Sequence, residues 1–188
     1  MKSGLILIDI QKDYFPGGKM ELVGMEKAAN NAGKLLDKFR KAKLPVFHVQ
    51  HISKRKGAAF FLPGTEGVKL HESVEPLPHE IVVQKNFPNS FRDTPLLNHL
   101  NGANIEKVVI CGAMSHMCVD ATTRAAFDLG FNCVVIEDAC ATRNLQHKGI
   151  VVEAENVHAA FMAALAVLYA KVISLNDFNF TDFENTWR

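Results

Sequence analysis

The chain has 188 residues, 48% hydrophobic and 22% charged, with 21 Lys and Arg against 20 Asp and Glu. That length buries roughly 70% of the surface an unfolded chain exposes, enough for one self-sufficient core, and so apolar a composition excludes disorder. A net charge of +1, with Lys54-Arg55-Lys56 as the longest basic cluster, supplies no field to recruit phosphates, so nucleic acid is not an expected partner.

Gly4 to Asp9 is a continuous apolar run closed by a charge, the pattern of a strand buried on both faces. It is too short for the core of a signal peptide. From Met25 to Ala42 the apolar positions recur at three and four, which predicts an amphipathic helix, and Pro45 ends it. Val46 to Ile52 reads as the second strand. Ser53 to Pro78 carries Gly, Pro and charges with little periodicity, and a loop this long in a compact domain is commonly a lid or binding segment.

Ile81 to Lys85 is the third strand, and a short helix follows Pro95 to about Leu100. Lys107 to Ala113 is the fourth strand, Cys118 to Leu129 a helix, and Cys133 to Ile136 a fifth strand. Glu153 to Ala166 reads as an Ala-rich buried helix, and Lys171 to Ser174 as a sixth strand before a mixed tail. The most apolar stretch, Ala159 to Ala170, falls short of the ~20 residues of a membrane span, so no membrane association is expected. Cys111, Cys118, Cys133 and Cys140 form no C-x-x-C pair, which predicts reduced thiols and a cytoplasmic location.

Alternation of strands and helices predicts one α/β domain over residues 1–188, a three-layer α/β/α sandwich around a mainly parallel, Rossmann-like sheet. Right-handed crossovers bring every strand's carboxyl end to one edge, where ligands bind. Asp9 ends the first strand, Lys85 ends the third, and Cys118 follows the fourth. Taken singly, each has a plain structural explanation: a turn cap, a solvated charge, a small buried hydrophobe. Jointly they describe nucleophilic catalysis. Cys118 falls in the first turn of a helix with Ser115 as its expected cap, where free N–H groups favour a thiolate. Asp9 can take the thiol proton, and Lys85 can hold Asp9 ionised.

The blocks Leu7-Ile-Asp9-Ile-Gln11-Lys-Asp13-Tyr-Phe15, Lys85-Asn-Phe-Pro-Asn-Ser-Phe91 and Gly112-Ala-Met-Ser-His-Met-Cys118-Val-Asp-Ala-Thr-Thr-Arg-Ala-Ala126 resemble the signatures of the isochorismatase-like cysteine hydrolases. Asp138-Ala-Cys-Ala-Thr142 resembles that family's late block. The resemblance spans nearly the whole chain and implies a six-stranded parallel sheet, a homodimer or homotetramer, and an Asp-Lys-Cys triad at Asp9, Lys85 and Cys118. It also implies a cis peptide at Ala113-Met114, with the Met114 and Cys118 N–H groups forming an oxyanion hole. Phe15, Phe87, Phe91, Met114 and His116 are the candidates for lining a substrate pocket, and the loop from Lys54 to Gly67, with Phe60-Phe61, for closing over it or covering a neighbouring subunit.

Two departures narrow the substrate. Family members that hydrolyse the vinyl ether of isochorismate have Gly where this chain has Cys118. Nicotinamidases of the family carry an Asp-x-His metal motif after the second strand, where this chain has His48-Val-Gln-His51, and His residues three apart on a strand face opposite ways. No metal or cofactor is therefore expected. The resulting expectation is a metal-independent hydrolase cleaving an amide, carbamoyl or ureido C–N bond of a small molecule through a thioester. The alternatives are an isochorismatase-type vinyl ether hydrolase, a metal-dependent nicotinamidase, or a catalytically silent oligomeric scaffold. Cys118 to Arg124 also has C-x5-R phosphatase spacing, but Asp120 within it would repel phosphate and no Gly is present to form the cradle.

Overall fold

The computed structural model describes residues 1–180; the last part of the tail, 181–188, lies outside the described residues. Six strands form one parallel sheet: β1 (Ser3–Ile8), β2 (Val46–His51), β3 (Ile81–Lys85), β4 (Lys107–Ala113), β5 (Asn132–Ala141) and β8 (Lys171–Ile173), in the order β3-β2-β1-β4-β5-β8. The apolar runs of β1 and β4 are buried along their whole length, because both strands are central and covered on each face. Helix α1 (Met25–Lys41) buries Ala28, Ala32, Leu35, Leu36 and Phe39 as the three-and-four spacing predicts. The chain leaves β1 in one direction through β2 and β3, and in the other through β4, β5 and β8. Right-handed crossovers then put α1 on one face, and α2 (Leu96–Gly102), α3 (Asp120–Asp128) and α4 (Ala154–Leu168) on the other.

That reversal falls between β1 and β4, the place where open α/β sheets bind ligands. The two strands end in close approach. At Gly112, φ is +125° and a Cβ would stand 2.0 Å from the Ile8 carbonyl oxygen, so only glycine fits there.

Three expectations need correction. Strand β5 does not end at Ile136: it crosses a register shift and continues past Glu137 and Asp138, pairing Cys140 with Gly112 and Ala141 with Ala113. The two acids resemble a strand terminus only because they fall at an irregular stretch of the ladder. A two-stranded hairpin, β6 (Leu145–His147) with β7 (Ile150–Val152), occupies a segment with no strand prediction, since three-residue strands are too short for periodicity to register. Helix α4 is not buried. It covers the core with Val157, Met162 and Leu165, while Val167 is 77% exposed and Ala159, Ala160, Ala163 and Ala164 face outward. Among the described residues no helix is long and apolar enough to cross a membrane.

The long loop after β2 folds back onto the segment following β1. Asp13 N–H donates to Gly67 O (2.9 Å), Lys12 N–H to Lys69 O (3.0 Å), and His71 N–H to Ile10 O (2.9 Å). The buried Asp13 carboxylate accepts the Phe61 N–H at 2.6 Å. Gly67 permits this packing, because a Cβ there would lie 1.9 Å from Asp13 Oδ1. Phe61 is thereby drawn inside against Tyr14, with ring centroids 4.6 Å apart.

Candidate active site

Asp9 lies one residue beyond β1 at φ +51°, a left-handed conformation that Asp tolerates better than most side chains. Lys85 ends β3. Cys118 lies not in the first turn of α3 but in a π-helical turn, Ser115–Val119, inserted between β4 and α3. Ser115 is not a cap. Its hydroxyl is turned to the Ala141 carbonyl (3.3 Å) and His158 Nδ1 (2.8 Å), tying the π turn to β5 and α4. The peptide Ala113–Met114 is cis.

The three side chains meet under the sheet edge. Lys85 Nζ donates to Asp9 Oδ2 at 2.7 Å and to Cys118 Sγ at 3.3 Å. Asp9 is fully buried, Lys85 is 1% exposed and Cys118 5%. Asp9 Oδ1 is buried and has no hydrogen-bond partner, an arrangement that normally calls for an explanation. A carboxylate with one oxygen held and the other free is placed to accept a proton.

Burial pushes the Cys118 thiol well above its ordinary range; the neighbouring Asp9 charge adds to this, and Lys85 opposes it. The resting group is a thiol, contrary to the thiolate expected from a helix terminus. Burial works against charge on Lys85, but Asp9 and Cys118 outweigh it and hold its pKa above the ordinary value. The resting site is therefore carboxylate, ammonium and thiol.

His51 also reaches this centre, its Nδ1 3.0 Å from Lys85 Nζ. Asp9, His51 and Cys118 offer ligand atoms within 4.8 Å of one another, a set that on residue type alone suits a metal. The Lys85 ammonium, however, is hydrogen-bonded to all three and already supplies the positive charge a cation would bring. The set does not fit a metal. Nor can His48 help: it points to the opposite side of β2, where its Nε2 lies 2.9 Å from Glu80 Oε2, and Arg40 pairs with the same carboxylate.

Each aromatic pocket candidate has a structural neighbour. Phe15 stacks on His71, ring centroids 3.7 Å apart and planes within 6°. The Arg92 guanidinium lies 3.7 Å over the Phe87 ring. Phe91 stacks on Phe131 at 6.3 Å, and His116 Nδ1 is 2.6 Å from Thr142 Oγ1. Arg124 pairs within its own helix with Asp120 (2.9 Å) and lies over Tyr169.

Three further residues shape the site. Gln11, fully buried, clamps β2 beside the triad: its Oε1 accepts the His51 N–H at 2.7 Å, and its Nε2 donates to the His51 and Val68 carbonyls. Tyr14 is buried against Phe61, and its phenol is pushed well above its ordinary range by burial, then by Cys118 and Asp9. Gln11 and Tyr14 both fall within the first signature block. His51 is visible in the sequence only as a failed metal ligand, since nothing local indicates that β2 and β3 align it with Lys85.

The family model described as Isochorismatase domain matches residues 3–177. The uncharacterized isochorismatase family protein YddQ of Bacillus subtilis is 55% identical, over 92% of this chain and 96% of its own length. A solved structure from Oleispira antarctica, assigned to the isochorismatase hydrolases, superposes with a TM-score of 0.90 at 53% identity, covering 94% of this chain and 95% of that one. Streptothricin hydrolase of Streptomyces noursei is 34% identical over 76% of this chain and 56% of its own length.

Proposed function

The chain belongs to the isochorismatase family of hydrolases, and on that premise we propose that it is a metal-independent cysteine hydrolase cleaving a C–N bond of a small amide, carbamoyl or ureido compound. The observation that carries this reading is the Asp9 carboxylate, held at Oδ2 by Lys85 and free at Oδ1, beside a buried thiol. The relation to a streptothricin hydrolase supports it.

Because Cys118 rests as a thiol, its proton moves to Asp9 Oδ1 as sulfur attacks the substrate carbonyl. The oxyanion of the tetrahedral intermediate is held by the Met114 and Cys118 N–H groups. Collapse breaks the C–N bond, Asp9 returns the proton to the departing ammonia or amine, and a thioester on Cys118 remains. Asp9 then takes a proton from water, hydroxide attacks the thioester, and the released thiolate is reprotonated. Lys85 keeps its three protons throughout and stabilises the Asp9 carboxylate. Phe15, Phe87, Phe91 and His116 line the pocket.

A panel of primary amides, N-carbamoyl amino acids and ureido acids, assayed for ammonia release, tests this. At least one class should turn over with a kcat of about 1 s⁻¹ or more, the low end of the typical enzyme range; silence across the panel, with isochorismate hydrolysed instead, overturns it.

The outward face of α4 supports a second proposal, that the protein works as a homodimer or homotetramer docked through this helix. Val167, Leu168, Ile150 and Val151 are exposed there and in the hairpin just before it, and the alanines let a second helix approach closely. Exposed apolar residues on this helix and on the hairpin before it are the surface a second copy would cover. Sedimentation velocity should give a dimer or tetramer for the native chain and a monomer for Val167→Glu; a native monomer at micromolar concentration overturns it.

A further inference from the structure

An ammonium group has three N–H donors and no acceptor. At Lys85 all three are accounted for by three acceptors on three separate elements: Asp9 Oδ2 after β1, Cys118 Sγ in the π turn, and His51 Nδ1 at the end of β2. The last contact matters because Lys85 is inaccessible to solvent, so a donor left without His51 has no water to turn to. His51 is itself fixed. Gln11 holds its backbone N–H and carbonyl, and its ring lies 5.8 Å from that of Phe61, the residue pinned by Asp13.

We propose that neutral His51 is a positioning residue of this site: through Nδ1 it accepts the third N–H of Lys85, fixes the ammonium between Asp9 and Cys118, and by taking up a proton it switches the site off in acid. The inference rests on the hydrolase reading above. To accept at Nδ1 the ring carries its proton on Nε2. A proton added at Nδ1 sets N–H against N–H at 3.0 Å and places two cations in contact, which drives Lys85 away from Asp9. The titratable groups around the ring are Asp9 from β1, Lys85 from β3 and Cys118 from the π turn, with Tyr14 beyond the uncharged Phe61. Burial first, and then the Lys85 charge, hold the imidazole below its ordinary pKa of 6.5, while Asp9 opposes them. The switch therefore acts below neutrality.

Two measurements on the full chain test this. In ¹⁵N spectra, with His51 assigned by its loss in His51→Gln, the ring should show the Nε2–H tautomer at pH 7.5 and titrate below 6.5. The rate of Cys118 carbamidomethylation by iodoacetamide, followed by peptide mass spectrometry from pH 5 to 9, should fall on the acid side in the native protein. His51→Leu should lower the rate at pH 7.5 at least 10-fold. His51→Gln, whose amide oxygen accepts but does not titrate, should recover most of that loss and move the acid limb down by a pH unit or more. An Nδ1–H tautomer, or an acid limb that His51→Gln leaves in place, overturns the inference. Failure of the hydrolase reading looks different: Cys118 then resists iodoacetamide at every pH in the native protein.

Discussion

Cys118→Ala should abolish turnover of any substrate found in the panel, lowering kcat at least ~10³-fold, as loss of a nucleophile does elsewhere. The fold should survive, because the side chain removed is small; a cost of ~1 kcal/mol is expected. Cys118→Ser should be nearly as inactive. The serine hydroxyl is a much weaker acid than a thiol, and Asp9 alone must then remove its proton. Mass spectrometry supplies the complementary readout: native protein quenched in acid during turnover should carry the acyl group on Cys118, and the Ala variant none. Turnover within 10-fold of native in either variant removes Cys118 from the role. Cys133 and Cys140 are not placed to replace it, since their thiols are turned to backbone carbonyls, those of Thr123 and Phe131 for Cys133 and that of Ile136 for Cys140, and Cys111 is fully buried within β4.

Much of this site is legible before any coordinates. Asp9 and Lys85 stand where apolar runs stop, and in a parallel sheet such stops fall on one edge; Cys118 follows the next central strand. What the sequence does not show is long-range. The third partner of Lys85 comes from β2, whose alignment with β3 pairs His51 with Lys85, a fact of register rather than of motif. The protonation state of Cys118 is likewise hidden, because spacing suggests a helix terminus while the π turn buries the sulfur next to a carboxylate. Helix α4 misleads for a simpler reason: alanines suit a helix face that packs and one that stays exposed equally well, so an Ala-rich stretch does not reveal which face is covered.

The Asp9–Lys85 pair should matter as much for stability as for chemistry, and the two contributions can be separated. Both groups are buried, and Lys85 is held charged against the opposing effect of burial chiefly by the Asp9 carboxylate. Asp9→Asn leaves that ammonium without its counter-charge and should destabilise the protein by ~3–5 kcal/mol at neutral pH, the usual cost of breaking a buried pair from one side. With Asp9 gone, burial dominates and the folded-state pKa of Lys85 drops below its unfolded value of 10.5. Between those two values the unfolded chain binds more protons than the folded one, so stability rises with pH. The deficit of Asp9→Asn relative to native should therefore shrink as pH rises from 7 towards 10. Removing the stranded charge as well, in Asp9→Asn with Lys85→Met, should recover at least half of the lost stability while turnover stays at background. Urea unfolding at pH 7 and pH 9.5 for the native protein, both single variants and the double variant measures the coupling directly. Equal deficits at the two pH values, or a double variant no more stable than Asp9→Asn, would show that the ammonium is not held in place by this carboxylate.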